Sequence, residues 1–350
     1  MFGLFVIALA VFIALFAFCI APDNSPNADL QTVEIQAKKP GYKQLFLKVY
    51  TEKRRNEGWL TTFINGQPLN YKLIPVTGPA IHNTQADSLV FNKYIDEDTS
   101  VQVAYSISSL MSNHPGVRSE QDLYLTKKYW LGTDKFGRDI LSRLIIGTRV
   151  SLAVGLIAVF ISLTLGIVLG ALAGYYKGWI DQFIMWLVNV TWSIPTLLLV
   201  FAITMTMGKG FWQIFIAVGL TMWVSVARLV RGQVMAVKEL EYIQAAKALG
   251  LTDSRIILKH ILPNISGPIM VIAAGNFATA IIIEAGLSFL GIGVQPPQPS
   301  WGLMIKENYN FIITHNPMLA LIPGVAIMLL VLAFNLVGNG LRDAMDVKSN

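Results

Sequence analysis

The chain has 350 residues, 54% of them hydrophobic and 14% charged, with a net charge of +6 and one cysteine. A soluble domain carries roughly a quarter of its residues as charges, so this composition excludes an ordinary soluble globular protein and selects a membrane protein. A lone Cys19, four His without a close pair, and no basic tract interleaved with aromatics argue against disulfide, metal and nucleic-acid functions.

In chain order, the first element is the apolar run Phe2 to Ile20. It lacks a basic leading region and exceeds a usual signal-peptide core. Phe18 is bulky where a lipoprotein signal before Cys19 needs a small residue. Residues 1–21 therefore read as an uncleaved first transmembrane helix, and the missing basic flank leaves an upstream start open. A spanning helix needs ~20 predominantly apolar residues. Further segments of that kind lie at about 150–174, 180–207, 211–230, 267–291 and 318–340. Pro195 and Gly219 fall inside two of them, which neighbouring helices can accommodate. Trp179, Trp212 and Trp301 near segment ends are expected at the membrane interface.

Between the first two spans lies a long insert, residues 22–128. Its stretches "KQLFLKVYT", "YKLIPV", "DSLVFNKYI" and "SVQVAYSIS" have strand-like alternation or β-rich composition. "INGQPLN" and "VTGP" supply turn residues. A mostly β subdomain over about 30–110 is expected, with 111–128 leading back to the membrane as a polar connection.

Orientation follows from the short loops. Arg231, Lys238, Lys247, Arg255 and Lys259 collect between the fourth and fifth spans, whereas the opposite connections carry Lys209 and Lys306. The positive-inside rule places 231–266 in the cytoplasm. Six spans then put both termini in the cytoplasm and 22–128 on the outer side. The expected fold class is an all-α polytopic membrane protein of six transmembrane helices, with a mostly β extracytoplasmic insert between helices one and two.

Catalytic patterns are missing: there is no GxxxxGK[ST] phosphate loop, no G-x-S-x-G elbow and no H-E-x-x-H pair. No catalytic residue, metal ligand or bound cofactor is assigned. Asn189, Asn276, Glu284 and Asn335 are the main polar residues at span positions, and Glu284 with Asn276 is the candidate intramembrane polar site. Glu284 could contact solute or carry a proton; it could equally be a structural carboxylate bonded to a neighbouring helix. Self-energised transporters spread several ionisable groups along their pathway, and one carboxylate is thin support for that class. In "LGTDKFGRD", Asp134 and Asp139 suggest a metal less than a turn, because Gly132 and Gly137 suit a turn and carboxylates stabilise a helix start. "QPPQPSW" is expected as a rigid extended loop, since proline fixes φ.

The loop at 238–264 is the most informative stretch. "ELEYIQAAKALG" is rich in helix formers and ends at a C-capping Gly250. "DSRIILKHILP" starts a second helix at Asp253 as N-cap, expected to stop before Pro263. The small Ala245 and Ala246 would let another protein approach the first helix closely. A chain without an ATP site can borrow energy from a partner through such a helix pair; the plainer alternative is a solvated connection between spans.

The spacing of Ala245, Ala246, Gly250, Leu262 and Pro263 resembles the E-A-A-x-x-x-G…I-x-L-P loop of ABC-importer permeases. Gln244 replaces the usual Glu, and His260 stands where the broad pattern has Ile. "HILPN" is typical of the oligopeptide/dipeptide branch. "LGTDKFGRDILSRLIIGTRVSL", "GYYKGWIDQFIMWLVNVTWSIPTLLL" and "EAGLSFLGIGVQPPQPSWG" are similar to further stretches of that branch, in the right order. The resemblance covers most of 129–341, matches the C-type member of the permease pair, and leaves the insert as a departure.

The resemblance implies a type I importer core over 129–341, a cytoplasmic tail at 342–350, and a heterodimer with a second homologous permease. It further implies two ATP-binding cassette subunits holding ATP and Mg, an extracytoplasmic solute-binding protein, and contact with membrane lipid. Tyr242, Gln244, Ala245, Ala246, Gly250, His260, Leu262 and Pro263 would form the ATPase-coupling loop. The implied solutes are di- or oligopeptides. Nickel complexes or sugars are the alternative within the class; an ATP-independent secondary transporter, or an anchor for the insert, are the alternatives outside it.

Overall fold

The long apolar runs become the helices of a bundle in the computed structural model, which describes residues 1–50, 58–83, 88–106, 110, 120–208, 210–313 and 316–346. In chain order the helices are α1 (Phe2–Leu15), α2 (Ala17–Ile20), α3 (Trp59–Asn65), α4 (Ile140–Tyr176), α5 (Gly178–Trp192), α6 (Thr196–Met207) and α7 (Phe211–Lys238). There follow α8 (Glu241–Ala248), α9 (Asp253–Ile256), α10 (Leu262–Asn264), α11 (Ser266–Leu290), α12 (Trp301–Asn308) and α13 (Met318–Asp346). The strands are β1 (Tyr42–Tyr50), β2 (Tyr71–Val76), β3 (Ile81–Asn83), β4 (Ser88–Tyr94), β5 (Ser100–Ser106) and β6 (Tyr124–Tyr129). Lys209, residues 111–119 of the polar connection and residues 347–350 of the tail lie outside the described residues.

Among the described residues, α4, α7, α11 and α13 are the helices long and apolar enough to cross a membrane. The expected six continuous spans are thus corrected at two places. The third is two helices, α5 and α6, meeting at 92°. Pro195 explains the break: it has no N–H to donate and pushes Ile194 out of the helical region. The first is the 14-residue α1, about 21 Å long against a hydrocarbon core of ~30 Å. By contrast the 37-residue α4 runs about 55 Å and projects well beyond such a core.

α4 and α7 form the central pair because a stripe of glycine lets their backbones close up. A Cβ at Gly170 would stand 2.5 Å from the Ala227 carbonyl, and one at Gly174 would stand 2.7 Å from that of Arg231. Small residues at i, i+4 spacing are the membrane solution for close helix contact. Phe277 of α11 fills the space beside Gly155 of α4 and stacks on Phe334 of α13 at 4.0 Å.

The four expected strands form β1, β2, β4 and β5 of an antiparallel sheet in the order β3-β4-β2-β1-β6, with β5 on β4. Phe46 and Leu47, adjacent on β1, are both fully buried; successive strand side chains point to opposite faces, so the sheet is covered on both sides at this point. The 111–128 connection is corrected at its end, where β6 pairs with β1 from Tyr42↔Tyr129 to Leu47↔Tyr124. "INGQPLN" is turn only after Asn65, since Ile64 and Asn65 end α3.

The sheet meets the bundle through an interlocked base. Thr32 N donates to the Phe136 carbonyl at 3.0 Å and Lys38 N to Thr133 Oγ1 at 2.9 Å. Gly137, at φ +73°, sits against the Thr32 carbonyl, where a side chain would collide. Asp139 caps α4 by accepting from Ser142 N at 3.0 Å. The turn expected of "LGTDKFGRD" is therefore present, and Asp134 is consumed within it by Phe136 N, Arg138 N and Arg138 Nε. Arg138 also donates to Asp29 at 3.1 Å and to Glu307 of α12 at 2.6 Å. Arg143, fully buried, reaches Glu307 at 3.4 Å. Burial alone would weaken the Arg138 guanidinium's hold on its proton, but Asp134 and Glu307 outweigh it and hold the proton more firmly than usual.

α12 itself was absent from the expected elements. Ser300 caps it by accepting from Leu303 N, and Trp301 is buried rather than interfacial, its Nε1 donating to the Leu144 carbonyl of α4 at 3.0 Å. Trp179 and Trp212 are exposed.

Candidate functional site

The 238–264 loop sits at the end of α4 opposite the sheet. α8 runs to Ala248, and Gly250 then takes φ +79°. No atom lies within 4 Å of a Cβ built there, so the left-handed backbone, not space, demands glycine. The second helix departs from its expected limits at both ends. Thr252 is the N-cap and Asp253 the first helical residue. The helix does not stop before Pro263 but passes through a π turn, Ile257–Ile261, into α10. A π turn spaces the hydrogen bonds by five residues, which relieves the clash of the Pro263 ring with the carbonyl four residues back.

Inward-facing isoleucines hold this loop as a unit. Val226, Val230, Val234 and Val237 make a ladder along α7, and Ile243, Ile256, Ile257, Ile261 and Ile265 pack into it. Each buried isoleucine contributes about 1.5–3 kcal/mol relative to exposure. Polar bonds tie the same loop to α4, and a further pair joins α7 to α5 beside it. Tyr175 of α4 donates to Asp253 at 2.6 Å, and Lys238 donates to the Tyr175 carbonyl at 2.6 Å. Lys177 pairs with Glu239 at 3.0 Å, and Arg231 makes a two-pronged pair with Asp181 of α5 at 2.5 and 2.6 Å. The loop is thus bonded to α4 and packed on α7, and α7 is bonded in turn to α5.

The outward face carries exposed leucines among polar side chains. Leu249 is 81% exposed and Leu258 63%, with Tyr242, Gln244 and Ala245 exposed beside them. Ala246, expected beside Ala245 as a contact surface, is instead buried; α8 turns one alanine out and one in. Gln244 donates to the Glu239 carbonyl at 3.2 Å, helping to cap the C-terminus of α7, where a carboxylate would face the negative end of the helix dipole. Tyr242 OH accepts from Asn264 Nδ2 at 2.8 Å, linking α8 to α10. His260 is half-buried, Leu262 packs on the isoleucine cluster and Pro263 is exposed.

The other candidate pair, Asn276 and Glu284, is separated by two turns of α11. Glu284 is fully buried and accepts from Ser288 Oγ at 2.7 Å; Ser300 Oγ lies 3.4 Å from Ser288 Oγ. Asn276 instead lines a polar chamber of about 250 Å³ at the α5–α6 break, together with Thr191, Thr196, Thr221, Ser225 and Thr279. Its Nδ2 is buried without a partner. One turn beyond Ser225, the Arg228 guanidinium lies 3.7 Å over the Trp192 ring, which also lines the chamber. Arg228 donates to Asn189 at 3.2 Å, and among the described residues it has no ion-pair partner. Sequence reasoning passed over Arg228, although an arginine inside the 211–230 window was itself the signal.

Comparison with known proteins fits this architecture. The family described as "Binding-protein-dependent transport system inner membrane component" matches residues 166–348. A glutathione transport system permease protein, GsiD, of Pectobacterium atrosepticum is 44% identical over 220 residues, 63% of this chain and 73% of that protein. A dipeptide transport system permease protein, DppC, of Alkalihalophilus pseudofirmus is 45% identical over 221 residues, 63% of this chain and 72% of its own length. GsiD of Escherichia coli is 45% identical over 222 residues, with 63% and 73% covered. With more than half its length matched by that family and its relatives so similar, the chain belongs to the binding-protein-dependent transport system inner membrane components, as an ABC-transporter permease.

Proposed function

We propose that this permease imports di- or oligopeptides and couples to ATP hydrolysis through the 238–264 loop. The observation that carries the reading is the pair of exposed leucines, Leu249 and Leu258, on a loop bonded to α4 and packed on α7. Exposed leucines on a rigid, otherwise polar loop fit a surface that a partner covers. The partners are a second homologous permease, two ATP-binding cassette subunits and a solute-binding protein. ATP and Mg belong to the cassettes, and this chain is non-catalytic.

In this reading six membrane passages, counting α1–α2 and the bent α5–α6 pair, place both termini in the cytoplasm. Residues 22–128 form an extracytoplasmic insert ahead of the 129–341 core. ATP must bind the outward-facing arrangement more tightly than the inward-facing one; the loop carries that preference into α4, α5 and α7. The names of the relatives, glutathione and dipeptide transport systems, support a peptide solute.

The test is uptake of labelled di- and oligopeptides by cells deleted for this gene. Loss of uptake, restored by the intact gene, is expected; unchanged uptake contradicts the reading.

A further inference from the structure

We propose that the polar chamber at the α5–α6 break seats the carboxylate end of a peptide in transit, an inference that rests on the peptide-import reading. Its donors are unspent. Pro195 caps α6 without a side-chain bond, so the first-turn N–H groups of α6, the positive end of a 12-residue helix, open beside Thr196. Asn276, 93% buried by its 7% exposure, offers an amide Nδ2 with no partner. An unpaired buried donor costs free energy, and a cavity that leaves one in place suits a ligand that accepts from it.

The acceptors are equally ordered. Thr191, Thr221, Ser225 and Thr279 each donate their hydroxyl proton to a carbonyl of their own helix, those of Leu187, Val218, Met222 and Gly275. Their oxygens are left as acceptors for an amide N–H. The charge comes from Arg228, whose Nε is buried without a partner and which has no carboxylate within ion-pair distance among the described residues. An intramembrane cation without a counter-ion marks a solute path, and its guanidinium matches a carboxylate. The positive charge of Arg228, which borders the chamber through the Trp192 ring, selects an anion over an ammonium group. A volume of about 250 Å³ lies below the usual range for a drug-sized ligand, so the chamber holds a terminus rather than a whole peptide. Glu284 lies apart from it and takes no share.

Cells deleted for the gene and complemented with variants provide the test, using labelled dialanine and dialanine amide as probes. Arg228→Gln and Asn276→Leu are each expected to lower dialanine uptake about tenfold, the loss of one charge-assisted hydrogen bond, while amide uptake changes less than about twofold. Arg228→Lys, which keeps the charge, retains most of the acid uptake. The binding protein is unchanged across the series, so a shifted acid-to-amide ratio reports the membrane chamber. Immunoblotting fixes the amount inserted, and the conservative Arg228 pair remains informative where Asn276→Leu inserts poorly. An unchanged ratio, whether both uptakes fall together or neither moves, overturns the inference while leaving peptide import intact. Wild-type cells that take up neither probe overturn the peptide reading and the inference together.

Discussion

At the sheet end of α4, Arg138 and Arg143 are buried among Asp134, Glu307 and Asp29, whereas at its other end Leu249 and Leu258 stand 81% and 63% exposed beside half-exposed ion pairs. The same helix thus joins a base whose charges find partners within the chain to a loop that leaves two leucines uncovered. A buried ion network is costly to break and rewards a fixed geometry. Exposed apolar side chains grouped on a surface mark a place where a partner binds. The contrast is the one the proposed coupling needs: a fixed frame at the sheet end and, at the loop end, a surface for a partner to push.

The largest effect should come from breaking the frame. Arg138→Leu leaves Asp134 and Glu307 with only the longer contacts to Arg143 and should cost about 3–5 kcal/mol, read as a lowered thermal midpoint of the detergent-solubilised protein. A midpoint like that of wild type would show the network to be dispensable. Next is the shaft between the two ends. Gly170→Leu forces α4 and α7 apart at the Ala227 carbonyl and should cost about 1–3 kcal/mol. Arg231→Gln, on the loop side, removes a pair with one partner 28% exposed; about 1 kcal/mol is expected in the same assay.

The smallest effect belongs to Asp139. Burial raises its pKa, and the two bonds from Ser142 offset this only in part. The folded protein therefore holds the Asp139 proton more tightly than the unfolded chain does. Its stability should fall as pH rises from the ordinary carboxylate value through the raised one. Asp139→Asn keeps the helix cap and should flatten that slope, changing stability by a few tenths of a kcal/mol. An unaltered pH slope in thermal unfolding would remove Asp139 as its source.

Much of the loop end was legible in the sequence because its signals are local. Helix formers, a glycine at the left-handed position and a proline a dozen residues on lie within one short stretch, so α8 and its successor were readable despite the misplaced N-cap and the unforeseen π turn. The strands β1, β2, β4 and β5 were readable for the same reason. The frame was not. Arg138 and Glu307 are 169 residues apart and Arg138 and Asp29 are 109 apart, and no periodicity links such positions. The α5–α6 break was lost by treating Pro195 as tolerated within a continuous span. Arg228 was lost because apolar neighbours on both sides averaged out its charge, although it marks the polar chamber more sharply than Glu284 does.

The central claim, that motion enters through the exposed loop, is tested most directly by Ala245→Glu in the assembled transporter, measuring peptide uptake and ATP hydrolysis on the same preparation. Ala245 faces outward and touches no part of the frame, so the thermal midpoint should hold. An uncompensated charge buried in a docked contact should cost about 3–5 kcal/mol, so uptake should fall at least about tenfold while hydrolysis continues. Wild-type uptake per ATP by Ala245→Glu would contradict the account.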